Sequence, residues 1–181
     1  MSRITVVGSG ANLSLPEYRV GKASTSCIYP GIGQCFAIAG WAQDGMVCTH
    51  VSPGSTQDEI ADTFHEMGNL GGDTILYWYV VGPFVQHFAE KKAQWRKAKD
   101  VLKSFEKSFK NKSASHFILD ASAERNTQVL EPGFTIPRTW SSIDIRAERR
   151  SYESMVIFSF KEGSPRVKDW TRFNNSKFVR L

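Results

Sequence analysis

The stretch CFAIAGWAQDGMVCTHVS, residues 35–52, predicts two β-strands joined by a turn. Apolar and small residues fill both arms, and residues 42–45 between them are typical of a hairpin connection. Before it, residues 21–34 are rich in Gly, Ser, Thr and Pro and predict a loop. A short β-prone run at residues 4–7 ends at Gly8 and lacks the third glycine of a dinucleotide-binding fingerprint.

The register of this hairpin decides which side chains meet. A two-residue turn at residues 44–45 would place His50 opposite Ala39, about 13 Å along the strand from Cys35. A four-residue loop, residues 41–44, would instead place His50 directly opposite Cys35, with Cβ atoms about 5 Å apart. The sequence leaves both registers open.

An amphipathic helix is predicted directly after the hairpin. Thr56 and Glu59 have the spacing of a capping box, in which each residue satisfies a backbone N–H of the other. Gly68 is expected to end the helix. One apolar face recurs at helical spacing: Ile60, Phe64 and Met67.

The rest of the chain mixes strands and one more helix. Residues 74–82 are nearly continuously apolar and predict a central strand buried on both faces. Residues 85–109 show a helical period with lysines outside, as one helix or two. Further β-prone segments follow: residues 115–121, 128–136, 141–147 and 154–160. This order predicts a layered α/β sandwich around a mixed, mostly antiparallel sheet.

Composition indicates a single globular domain over residues 1–181, with 41% hydrophobic and 23% charged residues. No apolar run approaches the roughly 20 residues that span a bilayer, so no membrane span is expected. The first residues do not resemble a signal peptide. We therefore expect a bacterial cytoplasmic protein, or one secreted without a cleaved leader into a host cytosol. Three cysteines without a C-x-x-C pair predict reduced thiols.

A basic surface offers an alternative, non-catalytic function. The net charge is +5, and residues 91–112 hold nine Lys and Arg against Asp100 and Glu106. Basic and aromatic residues also interleave near the C-terminus: Trp170, Arg172, Phe173, Lys177, Phe178 and Arg180. Such surfaces bind nucleic acid, although a solvated helix face is the simpler interpretation.

Cys35 is the candidate nucleophile. A cysteine attacks as the thiolate, which a neighbouring imidazole such as that of His50 favours. Glycines before it allow positive φ angles and a close approach of the backbone to a substrate. The backbone N–H groups near Gly33, Gln34 and Cys35 are candidates for an oxyanion hole.

Two other interpretations of Cys35 stay open. Free cysteine is among the most buried residue types, so composition alone favours a structural role for Cys35. Cys48 and His50 share a strand face and, together with Cys35, could bind zinc. A fourth ligand is not evident, and we predict no metal and no cofactor.

The segment GIGQCFAIAGWAQDGMVCTHVSP, residues 31–53, resembles the core of the CheD chemoreceptor glutamine deamidases. That family has a G-x-G-S-C run, an apolar strand, a turn, then Gly-Met-x-His and a proline. The Cys–His pair also resembles the scaffold of two toxin groups, the cytotoxic necrotizing factors and the Burkholderia lethal factor. The spacing of Cys35 and His50 is similar to that of the necrotizing factors. The resemblance covers about residues 28–125, and the later strands would be an extension. The matching positions are Gly31, Gly33, Cys35, Gly45, Met46, His50 and Pro53.

The resemblance implies an α/β/α sandwich and an enzyme that hydrolyses the side-chain amide of a protein-bound glutamine to glutamate and ammonia. Cys35 would be the nucleophile and His50 the acid and base. CheD orients its histidine with a threonine six residues before the cysteine, a position held here by Tyr29. Its hydroxyl or carbonyl could serve, since the necrotizing factors use a main-chain carbonyl; Thr25 and Ser26 are alternatives.

Departures from CheD favour a stand-alone effector or toxin that acts on a protein partner. Residues 80–84 lack the double glycine of CheD, and residues beyond about 130 have no counterpart in that family. In addition, Gln34 replaces the family's serine, and Cys48 and Thr49 lengthen the spacing from Met to His. The alternatives are another Cys–His acyl-transfer enzyme, such as a protease or transglutaminase, and an inactive protein of the same fold.

Overall fold

The computed structural model describes residues 2–33, 35–52, 54–82, 114–120, 142–164, 166–173 and 179–180. The strands and helices are β1 Thr5–Ser14, β2 Arg19–Ile32, β3 Phe36–Ala42, β4 Gly45–Val51, α1 Gln57–Asn69, a 3-10 helix Gly72–Thr74, β5 Tyr77–Gly82, β6 Ser115–Asp120, β7 Ile143–Arg150, β8 Met155–Glu162, β9 Thr171–Arg172 and β10 Val179–Arg180.

These strands form one mixed sheet in the order β10-β6-β5-β3-β4-β2-β7-β8-β9, with β1 alongside β2. The pairs β1–β2 and β5–β6 are parallel and the other pairs are antiparallel, so the predicted mixed, mostly antiparallel sheet is confirmed. The sheet curls into an open half-barrel, as strongly twisted sheets do.

The hairpin predicted from residues 35–52 is confirmed, but in neither of the two expected registers. Ala42 pairs with Gly45, so the two-residue turn consists of Gln43 and Asp44. His50 therefore lies opposite Ala37, two residues from Cys35. Both strands are fully buried along their length, because they lie in the middle of the sheet and a core packs on each of its faces.

The prediction of a loop at residues 21–34 was wrong, because residues 19–32 form the 14-residue strand β2. Backbone pairing with β1, β4 and β7 outweighs the low β-propensity of its Gly and Ser residues. The loop-like composition does mark one irregularity. The register with β7 shifts between Tyr29 and Ile32, around Pro30 and a Gly31 with φ of +71°.

The strand predicted to end at Gly8 continues to Ser14 as β1. Gly8 adopts a φ of +83°, and the pairing with β2 shifts next to it, between Val6 and Gly8. A β-bulge thus absorbs the glycine that was expected to end the strand.

The helix α1 begins as its sequence predicts. The Thr56 hydroxyl accepts from the Glu59 N–H at 3.1 Å, and the Glu59 carboxylate accepts from the Thr56 N–H at 2.9 Å, which completes the capping box. The helix ends at Asn69, one residue beyond the predicted Gly68. Its predicted apolar face is buried: Ile60, Phe64 and Met67.

Buried side chains form a core on each face of the sheet. The helix α1 covers the first face, where Phe64 packs in a cluster with Phe36 and Trp78. On the second face, β8 folds back over the central strands, so that the rings of Tyr79 and Phe158 lie 5.7 Å apart. Within the described residues, helix covers one face and curled sheet covers the other.

Several expectations lie outside the described residues. These are the predicted helix at 85–109, the lysine-rich run at 91–112, and the β-prone segment at 128–136. The second helical layer of the expected sandwich is among them. The central strand expected at residues 74–82 is confirmed as β5, between β3 and β6.

None of the helices in the described part of the chain combines the length and the apolar character that crossing a lipid bilayer requires.

Candidate functional site

Cys35, His50 and Glu17 converge where the hairpin strands end. One donor atom from each residue lies within 4.8 Å of those of the other two. The Cys35 thiol donates to the Glu17 carboxylate, with Sγ 3.5 Å from Oε1. Cys35 and His50 are only 4% and 1% exposed, whereas Glu17 is exposed. The predicted pair thus lies at a buried site that is covered by an acidic side chain.

The β1–β2 connection, residues 15–18, holds His50 from two sides. The His50 Nδ1 lies 2.9 Å from the Leu15 carbonyl oxygen. The His50 carbonyl in turn accepts from the Tyr18 N–H at 3.1 Å. Glu17 stands between these two contacts, which explains how a residue from a turn reaches the end of β4.

Local interactions fix this connection. Leu15 is fully buried, and its N–H donates to the Ile28 carbonyl at 2.8 Å. Pro16 follows and disfavours the helical conformation for Leu15. Tyr18 has a φ of +64° and carries the Arg3 guanidinium 4.1 Å above its ring. The Leu15 carbonyl is therefore held in place before any ligand binds.

The hydrogen bond to Leu15 fixes the tautomer of His50. A carbonyl oxygen only accepts, so Nδ1 carries the proton and donates it. In neutral imidazole the lone pair is then on Nε2, which has no hydrogen-bond partner among the described residues. This nitrogen therefore carries the lone pair that is available to accept a proton.

The environment favours neutral His50. Burial lowers its pKa from the usual 6.5, while the Leu15 carbonyl and the Glu17 carboxylate partly oppose this by stabilising the charged form. The net direction is downward, so at neutral pH the ring is mainly uncharged and able to accept a proton.

Tyr29 packs against the histidine but does not bond to it. Its hydroxyl donates to the Ile38 carbonyl at 2.7 Å, and its ring meets the His50 ring edge-on at 6.3 Å. Of the two alternatives, Ser26 donates to the Asn12 side chain at 2.7 Å, and Thr25 is exposed. Leu15, rather than these residues, supplies the acceptor for Nδ1.

The candidate oxyanion amides are described only in part. Gln34 lies outside the described residues, and Gly33 is half-buried beside it. Gly31 has the expected positive φ, and its N–H donates to the Asp144 carboxylate at 3.0 Å. This bond anchors the start of the loop to β7, and the oxyanion hole stays a prediction.

The three cysteines are buried thiols that form no disulfide, but their surroundings differ. Burial raises the pKa of the Cys27 thiol well above its usual value, with the Cys48 thiol nearby in the core. Cys48 is fully buried and contacts the Met46 carbonyl at 3.8 Å. Among the described residues, Cys35 is the one cysteine whose sulfur lies within 4.8 Å of both a histidine nitrogen and a carboxylate oxygen.

The same three donors could hold a metal ion. Zinc in catalytic sites takes three protein ligands and one open position, and a ligating histidine usually donates its other N–H to a carbonyl. Glu17, Cys35 and His50 offer that set. The zinc alternative raised from the sequence used Cys48 instead of Glu17.

Sequence reasoning missed Leu15 and Glu17. Glu17 and Cys35 are 18 residues apart, and Leu15 and His50 are 35 apart. These residues come close together because β1 pairs with β2. The sequence did not suggest this pairing, since residues 21–34 were predicted to form a loop. Pro16 was the one local signal of a shaped turn here, because proline favours turns. No protein-family model matches the chain, and no curated protein matches it significantly.

Proposed function

We propose that the protein is a thiol hydrolase that deamidates a glutamine side chain on a protein partner. One observation carries this proposal: a buried imidazole, oriented by the Leu15 carbonyl, has a ring nitrogen within 4.8 Å of the Cys35 Sγ. A nucleophile, a base and a group that orients the base form the usual constellation for acyl transfer.

The resemblance noted from the sequence supports a glutamine side-chain amide as the group that is hydrolysed. The necrotizing factors orient their histidine with a main-chain carbonyl, and the Leu15 carbonyl is in that relation to His50. The proposal includes the α/β/α sandwich that the resemblance implies, with a second helical layer in addition to α1.

The reaction would run as acyl transfer. His50 Nε2 takes the thiol proton, and the Cys35 sulfur attacks the carboxamide carbon. N–H groups near Gly33 and Gln34 hold the oxyanion. His50 then gives its proton to the departing ammonia, and as neutral imidazole it activates the water that hydrolyses the thioester to glutamate. These steps need no cofactor.

The proposal also includes the biological setting that the sequence suggests. The protein would be a single-domain, stand-alone effector, bacterial in origin, and active in its own cytoplasm or in a host cytosol. Its partner would be a protein that presents an exposed glutamine.

Ammonia release tests the reaction. An Nα-blocked glutaminyl-glycine dipeptide and an unfolded casein are incubated with wild type and with Cys35→Ser. The proposal predicts ammonia, and a gain of about 1 Da per site in casein, from the wild type alone. Peptide cleavage would instead indicate a protease, and amine incorporation without hydrolysis a transglutaminase.

The cluster of three donors favours a second candidate, a zinc-dependent hydrolase. A chelator separates the two. The thiol mechanism keeps its full rate after exhaustive treatment with EDTA, whereas a zinc enzyme loses its activity and regains it when zinc is added back.

A further inference from the structure

Glu17 occupies the space directly in front of the proposed nucleophile. Its Oε1 accepts from the Cys35 thiol at 3.5 Å, and its carboxylate adds a favourable charge interaction to His50. The residue itself is exposed, while the two side chains beneath it are almost fully buried. A carboxylate thus covers the thiol and is free to move towards solvent.

We propose that the Glu17 side chain occupies the subsite for the substrate's glutamine side chain, as an intramolecular mimic of the product. The proposal rests on the proposed function, because glutamate is what deamidation leaves at the thiol. Glu and Gln have the same length and shape, so a substrate glutamine fits where Glu17 now lies. A carboxylate lacks an amine leaving group, so Glu17 covers the thiol and slows access to it without being consumed.

Movement of this side chain alone would open the site. The backbone on either side of Glu17 is held, since Leu15 and Tyr18 both bond to His50. If the whole connection moved, the histidine would lose the acceptor that orients it. A partner that draws the Glu17 carboxylate outward, for instance with a basic side chain, would therefore expose Cys35 and leave His50 in place.

The substitution Glu17→Gln turns the mimic of the product into a substrate. The Cys35 sulfur would form a bond to Cδ of the new glutamine, and the Cδ–Nε2 bond would break. Ammonia leaves with the proton that His50 took from the thiol, and water hydrolyses the thioester. Residue 17 becomes glutamate again and the thiol is restored, so the step balances without an added reactant.

Mass spectrometry of the purified variant tests this directly. We expect Glu17→Gln to gain about 1 Da at residue 17 alone, within the lifetime of the preparation. The exposed native glutamines Gln43 and Gln57 serve as internal controls and keep their masses. The double variant Glu17→Gln, Cys35→Ser should keep glutamine at position 17. Conversion in that double variant, or none in the single variant while wild type deamidates casein, would overturn the proposal.

Alkylation of Cys35 by iodoacetamide tests the covering role independently of deamidation. Glu17→Ala removes both the charge and the cover, whereas Glu17→Met removes the charge but keeps the length of the side chain. We expect Cys35 to react about tenfold faster in the Ala variant than in the Met variant. If the two variants react at equal rates while labelling still depends on His50, the covering role of Glu17 is refuted but the proposed function is not. A Cys35 that stays inert in both variants would refute the proposed function as well.

Discussion

At the scale of single residues, the hydrogen bond from His50 to Leu15 determines what the site can do. A main-chain acceptor makes Nδ1 the protonated nitrogen whatever side chain residue 15 carries. Because the acceptor is a backbone carbonyl, no residue type in the sequence predicts it. Cys35 and His50 could be predicted as a pair from their spacing and from the glycines that precede Cys35. The group that orients His50 could not be predicted in this way.

Tyr29 was the sequence-based candidate for that orienting group, and a single substitution tests it. Tyr29→Phe removes the hydroxyl that donates to the Ile38 carbonyl but keeps the ring beside His50. The buried carbonyl loses its side-chain partner, so we expect a loss of about 1 kcal/mol in the free energy of unfolding. The rate of Cys35 alkylation should stay within twofold of wild type. Urea denaturation and iodoacetamide labelling measure the two effects.

A loss of thiol reactivity in Tyr29→Phe at unchanged stability would instead assign the orienting role to the tyrosine hydroxyl.

The lowered pKa of His50 predicts how stability changes with pH. In the unfolded chain the imidazole titrates at about 6.5, and in the folded chain below that value. As pH falls through this window the unfolded state binds the proton first, so the free energy of unfolding decreases. Above about pH 6.5 both states are neutral and the effect vanishes. Urea midpoints between pH 5 and 8 should show this decline, and His50→Gln should reduce it.

His65 on α1 is exposed and serves as the matched control. His65→Gln should leave the decline in place. If His65→Gln flattened the pH dependence while His50→Gln did not, the proposed environment of His50 would be incorrect.

At the scale of elements, the sequence predicted correctly those elements that local interactions stabilise. The spacing of Thr56 and Glu59 predicted the start of α1 because a capping box involves only one helical turn. The turn-forming residues 42–45 between two apolar runs predicted the hairpin for the same reason. The strand β2 was missed because its partners β1, β4 and β7 come from distant parts of the chain. The register was missed because the turn accepts several lengths.

The capping box of α1 gives an element-scale prediction. Thr56→Ala removes the acceptor for the Glu59 N–H, and we expect it to lower the free energy of unfolding by about 1 kcal/mol. Thr56→Ser keeps an oxygen at the same place and should cost only a few tenths of that. Thermal unfolding followed by circular dichroism compares the two variants. Equal losses would show that the methyl group matters rather than the hydrogen bond.

At the scale of the whole molecule, the curl of the sheet brings β7 and β8 against the central hairpin. The β7 residue Arg149 donates to the carbonyls of Ala42 and Gln43 at the hairpin turn and lies over Trp41. In β8, Phe158 packs on Tyr79 across the fold. These contacts bring distant strands onto the face that carries Cys35. The sequence predicted a mixed sheet, but such contacts, and the curl they fix, have no local sequence signature.

A substitution of Phe158 tests whether β8 packs on the central strands. Its side chain is fully buried in the cluster that joins β8 to the central strands. Phe158→Ala should lower the free energy of unfolding by about 3 to 5 kcal/mol, because it leaves a cavity in the core. The exposed Tyr152, in the turn between β7 and β8, provides the control, since Tyr152→Ala should be nearly neutral. Similar losses in both variants would contradict the described packing of β8.

The most direct test of the central claim is the rate at which iodoacetamide labels each cysteine as a function of pH, in wild type and in His50→Ala. We expect Cys35 to react well below the usual thiol pKa of about 8.5, ahead of Cys27 and Cys48, and we expect the His50→Ala variant to lose this advantage. If Cys35 stays as inert as the two core thiols until the chain unfolds, it is a structural residue and the thiol-hydrolase proposal is wrong.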